Sequence, residues 1–304
     1  MEVVHPLDAR ARQEGAAPPS LFAPMHKRSA LHMAIRRHPT IVIGALILVL
    51  LILASVLAPW LGTTDPSNIN PGLRARVPSA EYFFGTDVLG RDIYSRVLYG
   101  TRVSLAVGFS VAALAIVLGM ALGLVAGFVR WVDGALMRCM DAMMSIPPVL
   151  LAIALMTLTR PSMGNVILAI TLAEVPRVAR LVRSVTLSLR EQPYIDAAVT
   201  VGTRIPVIIV RHILPNTVGP MLVQATYICA SAMIAEAVLS FIGAGVPSTV
   251  PSWGNIMAEG RVLWQVKPHI IFFPALFLSL TVLAINLLGD GLRDALDPKL
   301  AKGM

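Results

Sequence analysis

The sequence predicts an all-α, polytopic membrane protein with six transmembrane helices. Composition is the first sign: of 304 residues, 56% are hydrophobic and 14% charged, where a soluble domain carries about a quarter charged residues. Mean hydropathy is +0.74. Apolar runs long enough to cross a bilayer recur along the chain, separated by polar stretches. Lys and Arg are also unevenly placed. Segments 1–38, 130–138, 177–211 and 293–302 hold 17 of them, and the segments between hold the other 8. That bias assigns the first group and both termini to the cytoplasm. It also explains the net charge of +8 without a nucleic-acid partner.

Residues 1–38 read as a polar cytoplasmic tail. Pro6, Pro18, Pro19 and Pro24 interrupt it, and about the first 25 residues are expected to be disordered. Lys27, Arg28, Arg36 and Arg37 crowd the entrance to the first span. That span, Ile41 to Leu61, is uncharged and begins too late for a secretory signal, so it reads as an anchor. Trp60 takes an interfacial position. An external loop follows over 62–101, closing a first unit at 39–101. Asp87 and Asp92 balance Arg91 and Arg96 there, and Asp92 and Arg96 stand at the spacing of a helix-surface pair.

The transmembrane core is expected over 102–290. Its first helix, the second span, runs Val103 to Val129, with Gly119, Gly123 and Gly127 forming a ridge for close packing. Arg130, Asp133 and Arg138 make a short cytoplasmic turn. The third span, Met137 to Leu158, is interrupted at Pro147 and Pro148, which remove two backbone donors. The break is either a simple kink or one wall of a pathway. The fourth span opens over Asn165 to Ala173 and runs on into the cytoplasm through Glu174, Arg177, Arg180 and Arg183. Glu174 is a substrate or gating group, or the partner of Arg177 three residues on; pairing is the favoured reading.

The fifth span runs Met221 to Ile242, capped by Asn216 or Thr217, with Pro220 in its first turn. Glu236 inside it is expensive in lipid, so it meets a partner helix or lines the pathway. Residues 243–269 return outside with Trp253 in a turn. The sixth span, Ile270 to Leu288, holds Asn286 as a lone polar group, and 291–304 form a cytoplasmic tail. Pro147, Pro148, Glu174, Glu236 and Asn286 are thus the candidate pathway residues.

No phosphate-binding G-x-x-x-x-G-K-[ST] loop occurs, so no nucleotide or other cofactor is expected on this chain, and no catalytic or metal-binding motif is found. His5, His26, His32, His38, His212 and His269 are scattered outside the spans. Cys139 and Cys229 lie in apolar runs and are expected to be buried. Energy for any movement of the spans must then come from elsewhere, and the structured segment 193–206, within the loop 184–216, is the natural place to receive it. Pro193 suits a first helical turn, and Gly202 suits a helix stop. Pro206 forbids easy continuation. Ile195, Ala198, Val199 and Gly202 make one small, smooth face on a helix of about nine residues, too short to be stable alone in water. The 193–206 segment therefore reads as a plug for a socket on a second protein.

Asp196-Ala197-Ala198, three residues, Gly202, nine residues and His212-Ile213-Leu214-Pro215 resemble the cytoplasmic-loop signature of ABC importer permeases. Asp196 replaces the usual Glu and keeps its charge. His212 replaces the first Ile, as in the dipeptide, oligopeptide and nickel branch. Phe84-Gly85-Thr86-Asp87, Gly90-Arg91-Asp92, Pro251-Ser252-Trp253-Gly254 and the Gly289-to-Pro298 tail resemble the second, C-type permease of that branch. The resemblance implies a type I ABC importer permease fold in the bacterial inner membrane. It implies that Tyr194, Ile195, Asp196, Ala197, Ala198, Val199, Gly202, Thr203 and Arg204 form the helix that couples to ATPase subunits. It also implies a second permease, two ATPase subunits carrying ATP and Mg, and an external substrate-binding protein. Dipeptides or oligopeptides are the expected cargo, with nickel or another small solute as the alternative. A self-contained carrier or channel is the reading from outside this class.

Overall fold

The computed structural model describes residues 39–296. The tail 1–38, with its prolines and basic cluster, and residues 297–304 lie outside the described residues. The helices are α1 Pro39–Val56, α2 Ile93–Phe128, α3 Arg130–Met144, α4 Pro148–Thr157, α5 Met163–Arg190, α6 Pro193–Thr200, α7 Ile205–Phe241, α8 Trp253–Gly260 and α9 His269–Leu296. Among the described residues there is no strand, only an isolated bridge between Thr86 and Asp92.

Helices α1, α2, α7 and α9 are long and apolar enough to cross a membrane, and α3 with α4 qualifies as one broken span. Helix α5 is 28 residues long but carries charge from Glu174 onward, so its apolar part is short. Counting it, the fold is compatible with the six segments expected.

The glycine ridge decides how the centre packs. Helix α2 lays Gly119, Gly123 and Gly127 against α5. A Cβ at Gly119 would stand 2.4 Å from Val178 Cβ, one at Gly123 2.6 Å from the Ala179 carbonyl oxygen, and one at Gly127 2.5 Å from Thr186 Cγ2. Only hydrogen fits at that separation, so the small-residue pattern fixes which helices touch. Val107, Val111, Ala115, Val166, Ile170, Val178, Ile228 and Met233 bury the core between α2, α5 and α7. Helix α1 packs on α9, where a Cβ at Gly44 would lie 2.6 Å from the Ala284 carbonyl oxygen.

Several expectations are corrected. Helix α2 begins at Ile93, well before Val103, because Asp92 caps it: its Oδ2 accepts from Ser95 N–H at 2.9 Å. That carboxylate therefore does not pair with Arg96. Residues 130–138 are helix rather than turn. The third span is not a single kinked helix, since α3 and α4 meet at 89° around Pro147 and Pro148. Pro147 takes an extended ψ of 133° and Pro148 opens the next helix, so neither continues the first ladder.

The 193–200 helix does not run on through Pro206, which lies in the first turn of α7, where no donor is missed. Asn216 and Thr217 do not cap the fifth span. They lie within α7, just after a π-type turn over Ile209–Ile213. Pro215 cannot donate to a carbonyl one turn back, and the wider turn stands immediately before it. Cys229 is buried as expected, but Cys139 is exposed on the outer face of α3.

Candidate functional site

Helix α6 hangs between the ends of α5 and α7. Helix α5 stops at Arg190, Gln192 is extended, and Pro193 starts α6. The helix ends in a Schellman turn. Gly202 sits at φ +84°, its N–H donates to the Val199 carbonyl at 2.9 Å, and Thr203 N–H donates to the Ala198 carbonyl at 3.0 Å. Ile195 anchors the helix. It is buried with Ile208 and Ile213 of α7, and Leu124 and Phe128 of α2, Leu189 of α5 and Ala198 pack around them.

This divides the face read from the sequence. Ile195 and Ala198 turn inward onto their own chain, while Val199 is exposed. The outward surface is instead Tyr194, Asp196, Ala197, Val199 and Val201, with Val201 85% exposed. Gly202 and Arg204 are exposed beside it and Thr203 is half-buried. Beyond the turn, Ile205, Val207 and Val210 of α7 are exposed too.

The frame around α6 is braced by charge. Arg183 of α5 grips Asp133 of α3 with two hydrogen bonds, Nη2 to Oδ2 at 2.6 Å being one. Arg180 pairs with Asp141. Arg190 Nη1 donates to the Gly127 carbonyl at 2.6 Å and lies over the Phe128 ring.

The five pathway candidates are not gathered into one cluster. Pro147 and Pro148 are exposed at the α3–α4 bend. Glu174 is buried and pairs with Arg177 Nη1 at 3.1 Å, the pairing favoured from sequence, and Ser231 of α7 faces it at 3.5 Å. Glu236 is fully buried and accepts from Ser240 Oγ at 2.8 Å. Asn286 is exposed on α9.

Residues 115–302 match the model of the family described as binding-protein-dependent transport system inner membrane component. The chain belongs to that family. Residues 32–78 of this permease also match the N-terminal transmembrane domain of oligopeptide transport permease C. It is 51% identical to a probable peptide ABC transporter permease protein of Sinorhizobium fredii, over 87% of this chain and 90% of that one. It is 42% identical to a dipeptide transport system permease protein of Alkalihalophilus pseudofirmus, over 88% of each chain. A glutathione transport system permease protein of Escherichia coli is 40% identical, over 87% of this chain and 88% of its own. The fold matches a chain of the MetNI methionine ABC transporter in an inward-facing conformation. The TM-score is 0.56 at 19% identity, over 66% of this chain and 96% of that one. The protein is thus a multi-pass inner-membrane transport subunit that works with other subunits of an ABC system.

At the far end of α2 the permease holds a cluster that sequence reading did not assemble. Val97 and Leu124 are 27 residues apart on α2, about 40 Å at about 1.5 Å per residue. Around the first, Asp87 Oδ2 accepts from Arg91 Nε at 2.7 Å and from Arg96. Both arginines also reach Glu259 of α8, with Arg96 Nη2 to Oε1 at 3.1 Å. Trp253 is fully buried beside them, and its Nε1 donates to the Val97 carbonyl at 3.1 Å. It is therefore a core residue at the start of α8 rather than a turn residue. Glu259 was missed because its partners lie more than 160 positions away. The available signal was that it is the lone acid in 243–269.

Proposed function

We propose that this chain is one of two permease subunits of an ATP-driven importer of dipeptides or oligopeptides, coupled to its motor through α6. Both termini and α6 lie in the cytoplasm. ATP and Mg are bound by two partner ATPase subunits. An external binding protein delivers the substrate, and the second permease completes the path. The observation that carries the coupling is the state of α6: an eight-residue helix pinned to its own bundle by Ile195, with Tyr194, Val199 and Val201 exposed on its outward side. A socket on an ATPase subunit would cover Tyr194, Val199 and Val201. Because Ile195 belongs to a buried cluster that draws on α2, α5 and α7, displacement of α6 would be passed to those helices through it. The peptide reading rests on the relatives, and the basic bias supports the orientation.

The test is uptake of a labelled dipeptide by proteoliposomes holding the assembled transporter, with Val201→Glu as the variant. Uptake and substrate-stimulated ATP hydrolysis are expected to fall together, while α-helix content is retained. Unchanged uptake would contradict coupling through α6. Uptake of nickel but no peptide would redirect the substrate assignment alone. Uptake without any ATPase subunit would favour a self-contained carrier.

A further inference from the structure

Helix α3 carries a second unpartnered surface, of different chemistry. Its apolar side, including Leu136, Met140 and Met143, turns toward the bundle. Both of its acids are taken up by α5, Asp133 by Arg183 and Asp141 by Arg180. Its two arginines, Arg130 and Arg138, form no ion pair among the described residues. Both are exposed. At about 100° per residue they fall on one face with Trp131, which is 85% exposed. The result is a strip of two free cations and an indole, on which Asp141 also falls but is engaged by Arg180.

The position of the strip identifies what it meets. Large apolar side chains of α2 are exposed from Phe109 to Val125, a band of about 24 Å that approaches the roughly 30 Å thickness of the hydrocarbon. Helix α3 starts one residue after α2 ends, so Arg130 lies about 7 Å beyond Val125 along the axis. That is the depth of phospholipid headgroups. The 89° bend to α4 turns α3 away from the direction of its neighbour. Indole rings favour this layer, and guanidinium groups bind phosphate there.

We propose that the outer face of α3 is a binding site for anionic phospholipid, with Arg130 and Arg138 holding headgroup phosphates and Trp131 seated among the glycerol and upper acyl carbons. The site stands at the α6 end of the bundle, so bilayer charge bears on the same α3–α5 frame that surrounds α6. The identity of the transported solute does not enter this inference.

The test uses the full chain in vesicles, in a Trp60→Phe/Trp264→Phe background that leaves Trp131 as the exposed indole beside buried Trp253. Quenching by brominated phosphatidylglycerol is compared with quenching by brominated phosphatidylcholine, and Trp131→Phe identifies the Trp131 component. The anionic lipid is expected to quench more strongly at equal mole fraction. Arg130→Gln and Arg138→Gln should each lower the apparent affinity for it about fivefold, and the Arg130→Lys/Arg138→Lys variant should retain most of it. Equal quenching by the two lipids would overturn the proposal. So would displacement of the effect by inorganic phosphate, which would mean a soluble anion site. Shielding of Trp131 from both lipids once the ATPase subunits are assembled would overturn it too, showing a protein-docking face instead.

Discussion

Replacing Arg96 by Met tests whether the distal charge cluster holds its end of the bundle together. Arg96 is 1% exposed and contacts both Asp87 and Glu259. Removing one member of a buried ion pair costs about 3–5 kcal/mol, because the partner charge is left uncompensated. Here the lower end applies. Arg91 still reaches both carboxylates, and the Leu89 and Arg91 N–H groups donate to Asp87 Oδ1 at 2.8 and 3.0 Å. The expected loss is therefore about 3 kcal/mol, read as a lower midpoint of thermal unfolding by circular dichroism of the full chain in detergent. Arg138→Met, at an exposed and unpaired site, should stay within about 0.5 kcal/mol of the parent. Adding Glu259→Gln to Arg96→Met should cost less than the sum of the two changes, since they share one network. Equal, small shifts for Arg96→Met and Arg138→Met would refute the reasoning.

Three other substitutions probe other parts of the fold. Gly123→Leu forces side-chain atoms into Ala179 and Val182 of α5 and should destabilise the chain by at least about 1–3 kcal/mol, whereas Gly134→Leu, with open space around it, should be near neutral; thermal unfolding distinguishes them. Gly202→Val meets no neighbour but must adopt φ +84°, so it should cost about 1–2 kcal/mol locally, seen as faster amide exchange in 193–203 with the spans unchanged. Burial holds His269 below the usual imidazole pKa. Its neutral form is therefore favoured when folded, and its contribution is present above about pH 6.5 and is lost as pH falls from there toward the lowered folded value. The unfolding midpoint should fall between pH 7 and 5, and His269→Gln should flatten that dependence; an unchanged slope would remove His269 as the cause.

What the sequence made legible was local. Pro193 and Gly202 bound a helix by backbone chemistry that any context must respect, and the structure places α6 between them. Gly119, Gly123 and Gly127 announced a close contact, though not that α5 would supply it. Glu174 and Arg177 are three residues apart on one helix, so their pairing needed no tertiary knowledge. Long-range partners were not legible. Arg96 matches Asp92 by spacing, but Asp92 is taken by the start of α2, and the true partners are Asp87 and Glu259. Two adjacent prolines signalled a break at Pro147 and Pro148, yet an angle of 89° depends on how α3 is tied to α5. Ile195 and Val199 are both apolar and one turn apart, and only the cleft between α2, α5 and α7 decides which one is buried.

The most direct measurement is cross-linking at Val201. In a Cys139→Ser background, Val201→Cys is placed on the permease and the complete transporter is assembled with its ATPase subunits in membranes. A short bifunctional thiol reagent should join position 201 to an ATPase subunit bearing a cysteine at its permease-facing cleft. A membrane-impermeant maleimide should reach position 201 in the isolated chain but not in the complex. If that thiol stays freely labelled in an assembled complex that is hydrolysing ATP and moving substrate, α6 is not what the motor holds.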